Sequence, residues 1–198
     1  ANSSTDKFYM SGRSNSARAR IFCQVQSSSP QVCTRPKISA VSCGLLTRRG
    51  SGARAEGYLQ ATGGRLPSAF RQELKNGLAA RRKATPPPDR LAACHHDLHH
   101  LNLVDRGDSL IALDWEYAGP GDPAADLAAC ICYHDLDPQR VDALLAGYGD
   151  GSEALRARLV PLCWIFDCLW LGWLEMAATL DISLDAGRRQ RLVERLSS

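Results

Sequence analysis

A Cys-x-x-Cys motif and a recognisable signal peptide are both lacking in this sequence. It holds eight cysteines but no Cys-x-x-Cys pair, and no stretch has the make-up of a signal peptide. Several cysteines fall in apolar helical patterns, where a free thiol behaves as a small hydrophobic side chain. These features predict a protein of the reducing cytoplasm whose thiols are not joined in disulfides. The cysteines concerned are Cys130, Cys132, Cys163 and Cys168.

A long apolar run free of charge is also lacking. The most apolar stretch, residues 161–180, contains Asp167 and Glu175. A membrane-spanning helix needs about 20 mostly apolar residues with few charges. We therefore expect a core helix here and no membrane span.

The first 56 residues lack a sustained hydrophobic period of either 2 or 3.6 residues. They contain 11 of the 17 serines and carry a net charge of +7, while residues 57–198 carry a net charge of −4. This composition predicts a basic, weakly structured segment over residues 1–56 and a globular domain over residues 57–198. Because the basic residues are neither clustered nor interleaved with aromatics, we expect no nucleic-acid partner. No pattern in the sequence indicates the oligomeric state.

Two acidic residues and one amide stand at a spacing suited to phosphoryl transfer. Asp97 and Asn102 lie within the segment His95–Asn102, and Asp114 ends the apolar run Ile111–Leu113. Phosphoryl transfer needs a carboxylate that accepts the proton of a nucleophilic hydroxyl, together with oxygen ligands for Mg²⁺. We predict that Asp97 is this base and that Asn102 and Asp114 are the metal ligands.

The segment between Asn102 and Asp114 has the chemistry of a tight turn. Asp105–Ser109 contains Asp and Gly, which tolerate the backbone angles of a hairpin loop. The flanking segments Leu101–Val104 and Leu110–Leu113 are therefore predicted to pair as antiparallel strands. This pairing would bring Asn102 and Asp114 to the same end of the hairpin.

The rest of residues 57–198 shows mainly helical patterns, which together with the hairpin predict an α+β fold. One helix is predicted to start at Pro67, and two more start at the capping pairs Asp122-Pro123 and Asp137-Pro138. A longer helical stretch over residues 152–180 contains Pro161, where we expect a kink or a break.

The motifs His95-x-Asp97-Leu98-x-x-x-Asn102 and Leu113-Asp114-Trp115-Glu116 resemble those of the aminoglycoside phosphotransferase and choline kinase family. The residues that follow, 117–128, are similar to those of bacterial thiamine and choline kinase-like members. The resemblance implies a protein-kinase-like fold, of which this chain would hold the helical C-terminal lobe with its catalytic hairpin. It also implies Mg²⁺, ATP as the phosphoryl donor, and a small-molecule alcohol or aminoalcohol acceptor such as choline, thiamine or an aminoglycoside. In this family the residues matching His95 and Asp126 support the catalytic loop.

The nucleotide-binding features of the family are not recognisable upstream. Neither Gly50-Ser51-Gly52 nor Gly63-Gly64 forms a Gly-x-Gly-x-x-Gly loop, and Lys37 does not lie in a Val-Ala-Ile-Lys strand. We therefore expect the N-terminal lobe to be missing or unrecognisable. On this hypothesis the chain is a fragment, a truncated product or a partly frame-shifted sequence, with weak or no activity.

Two other functions stay open from the sequence. The cluster of His95, His96, His99 and His100 could bind zinc in a hydrolase-like domain, although a catalytic zinc site normally needs a third ligand from elsewhere. The chain could also be a non-catalytic remnant that keeps the site but does not hold ATP. The tryptophans at helical spacing, together with Trp115 beside Asp114, are candidate walls of an acceptor pocket. Nearby acidic residues are candidate partners for a positively charged acceptor. These residues are Trp115, Trp164, Trp170 and Trp173, with Glu116, Asp167 and Glu175.

Overall fold

The structure is a computed structural model that describes residues 51–62, 64–88, 91–179 and 186–197. Most of the segment predicted to be weakly structured, residues 1–50 of 1–56, therefore lies outside the described residues. The described chain is mostly helical and carries two short antiparallel strand pairs, as the α+β prediction requires.

The first two helices are α1 (Ser51–Ala61) and α2 (Ser68–Ala84). The boundary expected between residues 56 and 57 falls inside α1, whose Ala55 and Leu59 are fully buried. Residues on both sides of that boundary thus pack into the same core. The helix α2 begins after Pro67, as predicted, and buries Leu74 and Leu78.

Four short strands carry the loops of the site. Strand β1 (Ala92–Cys94) pairs antiparallel with β4 (Gly119–Gly121), and β2 (Leu103–Asp105) pairs antiparallel with β3 (Leu110–Ala112). The predicted hairpin is thus confirmed, but its strands are shorter than expected. Asn102 belongs instead to a single 3-10 turn before β2.

Two helices begin at the predicted Asp-Pro pairs. In α3 (Pro123–Tyr133) the Asp122 side chain accepts a hydrogen bond from the Ala124 N–H, and in α4 (Pro138–Tyr148) the Asp137 side chain accepts one from the Arg140 N–H. Each carboxylate satisfies a backbone donor that the first helical turn leaves without a partner. The sequence signals for these helix starts are therefore confirmed.

The longest described helix, α5 (Glu153–Ala178), continues through Pro161. Of the two outcomes expected at this proline, a kink or a break, the break does not occur. The buried face of α5 joins α1, α2 and the last helix, α6 (Ala186–Ser197), in one apolar core. The N-terminal half of α5 packs with α3 and α4 in a second core. Apolar residues on both sides of the proline are buried, which favours one continuous helix over a broken one.

Two acidic residues inside α5 are paired with arginines. Asp167 accepts from Arg195 at 2.8 Å, and Glu175, which is 1% exposed, accepts from Arg65 at 3.2 Å and from Arg189. By length and apolar composition alone α5 could cross a membrane, but 56% of its most apolar stretch is buried within the protein. These acidic groups are partners of the chain's own arginines, so the interpretation of Asp167 and Glu175 as acceptor-binding residues is not favoured.

Candidate functional site

The catalytic loop predicted from the sequence leaves the buried end of β1 at Cys94 and turns sharply at His96. His96 has a left-handed backbone, with φ of 63°, which is uncommon for a residue other than glycine. The Asp126 carboxylate, in the first turn of α3, accepts the His95 N–H at 2.7 Å and the His96 N–H at 2.8 Å. One side chain from α3 therefore holds two consecutive peptide groups just before Asp97.

The buried His95 ring joins the two halves of the site. Its Nδ1 accepts a hydrogen bond from the Asp97 N–H at 3.2 Å, which assigns the ring proton to Nε2. Nε2 then donates to the carbonyl of Leu113 at 2.7 Å. The ring also lies 4.7 Å from that of Trp115. Because Leu113 immediately precedes Asp114, His95 fixes the chain before Asp114 relative to the chain at Asp97.

Asp97 is only partly exposed and faces several donors. Its Oδ2 accepts from the Asn102 amide at 3.2 Å and lies 3.5 Å from His99 Nε2. Burial raises its pKa, but the hydrogen bond and charge of His99, with the charge of Arg54, outweigh burial and lower the pKa below its ordinary value. The carboxylate is therefore ionised at neutral pH and can accept a hydrogen bond from a hydroxyl.

Asn102 pairs with Leu113, the residue before Asp114, at the open end of the hairpin. The Leu113 N–H donates to the carbonyl of Asn102 at 2.8 Å, which continues the β2–β3 ladder to the residue before Asp114. The Asn102 amide nitrogen donates to Asp97, both to its backbone carbonyl at 2.9 Å and to its carboxylate. With that assignment the amide oxygen of Asn102 is left as the group that can act as a ligand.

Three of the four histidines considered for zinc have different partners within the protein. His95 bonds to Leu113, the His96 ring lies against Gly121, and the His99 ring stacks on Tyr133 at 4.8 Å. Across the described part of the chain, no three His, Cys, Asp or Glu side chains come together in a way that could hold a metal ion. The arrangement therefore gives no support to the zinc-binding alternative.

An aromatic stack stands next to the catalytic loop. The rings of Tyr133 and Trp170 are parallel and 4.4 Å apart, so His99, Tyr133 and Trp170 form one continuous column. Arg188 lies over the Trp170 ring at 4.1 Å. Trp164, in contrast, contacts Arg81 at 3.8 Å on the side of α2. Among the tryptophans of α5 that were proposed as pocket walls, Trp170 is the one linked by this column to the loop of Asp97.

Sequence reasoning missed two residues of this region. Arg54 donates to the carbonyl of His96 at 2.8 Å, across 42 residues of sequence, and it had been assigned to a weakly structured tail. His99 was considered only as a zinc ligand, whereas it contacts Asp97. No local pattern could have indicated the contact of Arg54, because it depends on how α1 packs.

Sequence comparisons connect the chain with known phosphotransferases. The sequence profile described as the phosphotransferase enzyme family matches residues 19–160, which includes part of the segment predicted to be weakly structured. Thiamine kinase of Escherichia coli O17:K52:H18 is 38% identical over 97 residues, which are 48% of this chain and 32% of that protein. Thiamine kinase of Shigella boydii serotype 4 is 37% identical over the same length, with the same coverage. The chain thus spans about a third of the length of these curated relatives.

Solved structures with the same fold are choline kinase-like. A choline/ethanolamine kinase family protein from Mesorhizobium loti aligns with a TM-score of 0.63 and 25% identity, over 79% of this chain and 60% of that chain. The choline kinase LicA from Streptococcus pneumoniae aligns with a TM-score of 0.60 and 22% identity, over 79% and 60%. LicA in complex with AMP aligns with a TM-score of 0.60 and 23% identity, over 81% and 61%. The predicted kinase-like fold is therefore confirmed.

Proposed function

The chain belongs to the phosphotransferase enzyme family, and from this premise we propose that it carries the catalytic loop of a kinase that transfers the γ-phosphoryl group of ATP to a small-molecule hydroxyl. The observation that carries the proposal is the contact of Asp97 with Asn102, whose backbone pairs with the residue before Asp114 in the same hairpin. An ionised carboxylate and two further oxygen-bearing side chains are the groups that this reaction uses.

We assign Asp97 the role of the base. Its carboxylate accepts a hydrogen bond from the acceptor hydroxyl and orients that oxygen towards the γ-phosphorus. As the new P–O bond forms and the bond to the ADP oxygen breaks, the hydroxyl proton passes to Asp97. The lowered pKa of Asp97 favours orientation over early proton removal, which fits the loose transition state described for most phosphoryl transfers.

We assign Asn102 and Asp114 to the binding of Mg²⁺. The side chains fit this ion, because Mg²⁺ prefers hard oxygen ligands such as a carboxylate and an amide oxygen. Since the Asn102 nitrogen donates to Asp97, the amide oxygen of Asn102 is the atom left for the ion. When bound, Mg²⁺ would neutralise charge on the phosphates. His95 and Asp126 hold the two segments that carry these side chains, through the hydrogen bonds to Leu113 and to the loop amides.

Thiamine or a related alcohol is the acceptor that we propose first. The thiamine kinase relatives are 37–38% identical over 97 residues, whereas the choline kinase neighbours support mainly the fold. The column of His99, Tyr133 and Trp170 lies beside Asp97, and its partly exposed members, His99 and Tyr133, have ring edges that can contact a heteroaromatic acceptor.

The proposal is tested by measuring ADP release with Mg²⁺ and ATP in the presence of thiamine, choline or an aminoglycoside. Phosphorus NMR of the products identifies the phosphorylated alcohol. We expect ADP release to depend on one acceptor and to fall strongly in Asp97→Asn. Release that is independent of every acceptor, or that is unchanged in Asp97→Asn, would contradict the proposal.

A further inference from the structure

The backbone of His96 is held from both sides. Its left-handed conformation, with φ of 63°, is one that residues with a side chain rarely adopt, and it persists only where the surroundings stabilise it. The Asp126 carboxylate accepts the N–H of this residue. The backbone carbonyl of His96 accepts a hydrogen bond from Arg54 Nη1 at 2.8 Å. The peptide groups on either side of His96 thus have one charged partner each, and the second of these groups leads directly into Asp97.

Arg54 reaches this carbonyl from the interior of the protein. It lies in α1 and is only 6% exposed, although burying a guanidinium is costly unless its charge and donors are used. Its guanidinium carbon lies 4.5 Å from the centre of the Tyr117 ring. Tyr117 belongs to the short turn Trp115–Tyr117 that directly follows Asp114. One guanidinium therefore contacts both the segment that carries Asp97 and the segment that carries Asp114.

We propose that Arg54 is a positioning residue that fixes the peptide before Asp97 and joins it to the segment after Asp114, so that the base and the metal-binding hairpin keep one relative orientation. This role deepens the proposed function and rests on it for its catalytic consequence. It assigns to α1 a part in the site that neither the motifs nor the family resemblance supplies.

A purely structural role predicts a different behaviour. If Arg54 only held α1 in place, its replacement would change amide exchange and kcat as much as the replacement of another side chain that holds α1. Arg82 provides this comparison, because its Nη1 donates to Glu56 of α1 at 2.7 Å while its side chain is 49% exposed. Arg82→Met therefore removes an anchor of α1 without touching the catalytic loop.

The experiment compares Arg54→Met, Arg54→Lys and Arg82→Met in the full chain. Amide hydrogen exchange is followed by NMR at residues 95–97, and kcat and KM are measured with ATP and thiamine. We expect at least tenfold faster exchange at these amides in Arg54→Met than in Arg82→Met. We also expect kcat to fall by about 10- to 100-fold, since small misplacements of a reacting group have effects of this order, with the acceptor KM changed less than about twofold. Arg54→Lys keeps a charged donor and should recover part of kcat and of the amide protection.

Equal exchange in Arg54→Met and Arg82→Met would overturn the proposal, and so would a loss of kcat that lysine does not recover at all. If Arg54→Met does not fold, Tyr117→Leu, which removes the ring beneath the guanidinium, takes its place with the same expectations. Absence of acceptor phosphorylation by the unaltered chain, whose activity we expect to be weak without a recognisable N-terminal lobe, would bear on the proposed function and not on the role of Arg54. In that case the exchange measurement still decides whether Arg54 holds the loop.

Discussion

Replacing Asp126 by asparagine tests how much the catalytic loop depends on a single carboxylate. In the native protein its two oxygens accept the His95 and His96 amides at 2.7 and 2.8 Å. Asparagine has one oxygen and one NH₂ group, so it can accept one of these amides and must turn a donor towards the other. Losing a hydrogen bond to a charged group costs about 1.5–3 kcal/mol.

For a chain of this length we therefore expect Asp126→Asn to lower Tm by roughly 3–12 °C, since 1 kcal/mol corresponds to about 2–4 °C. Thermal unfolding followed by circular dichroism measures this shift. The matched control is Asp137→Asn, because Asp137 caps α4 through one bond to the Arg140 N–H and asparagine caps helices equally well. If the two variants unfold at the same temperature, the loop does not depend on the double contact, and the reasoning about Asp126 is refuted.

Three further predictions concern the site. Asp97→Asn should lower kcat by about 10²–10⁴, the usual contribution of a positioned base; steady-state kinetics with an intact fold and unchanged kcat would exclude that role. Asp114→Asn should weaken the binding of Mg²⁺·ATP, as measured by calorimetry, and equal affinity in the two proteins would remove Asp114 from the metal site. Gly121→Ala should destabilise the protein by about 1–3 kcal/mol in urea unfolding, because the new Cβ would lie 2.4 Å from His96 Cε1. Gly147→Ala, with nothing within 4 Å of its Cβ position, is the control, and equal effects of the two substitutions would contradict the packing argument.

The parts of the fold that sequence analysis predicted are those whose cause is local. Asp122 and Asp137 each stand before a proline, and both cap the helices that follow. The turn Asp105–Ser109 combines Asp and Gly, and its flanking residues pair as predicted. In each case a side chain within three residues satisfies or shapes the backbone, so the signal is complete within a short window of sequence.

What the sequence could not supply depends on contacts between distant segments. The bond from Arg54 to His96 joins residues 42 positions apart, and residues 51–56 lie in a region whose composition resembles that of a tail. The burial of Arg54 and Ala55 follows from the packing of α1 on α5. In this packing Gly172 faces Tyr58, and a Cβ added at Gly172 would lie 2.9 Å from Tyr58 Cβ. Close packing of this kind depends on two surfaces that are distant in sequence, so neither segment alone predicts the contact.

The left-handed residues of the backbone indicate where contacts hold the chain in an uncommon conformation. Among the described residues, three other than glycine have a left-handed backbone: His96, Asp114 and Asp135. Two of these three adjoin or belong to the candidate site, and left-handed conformations of residues with a side chain occur mainly where surrounding contacts enforce them. At His96 the enforcing contacts are visible as the bonds to Asp126 and Arg54. Because the buried Arg54 and the Asp126 carboxylate together hold His96 in this costly conformation, we infer that these contacts maintain the direction of the next side chain, Asp97.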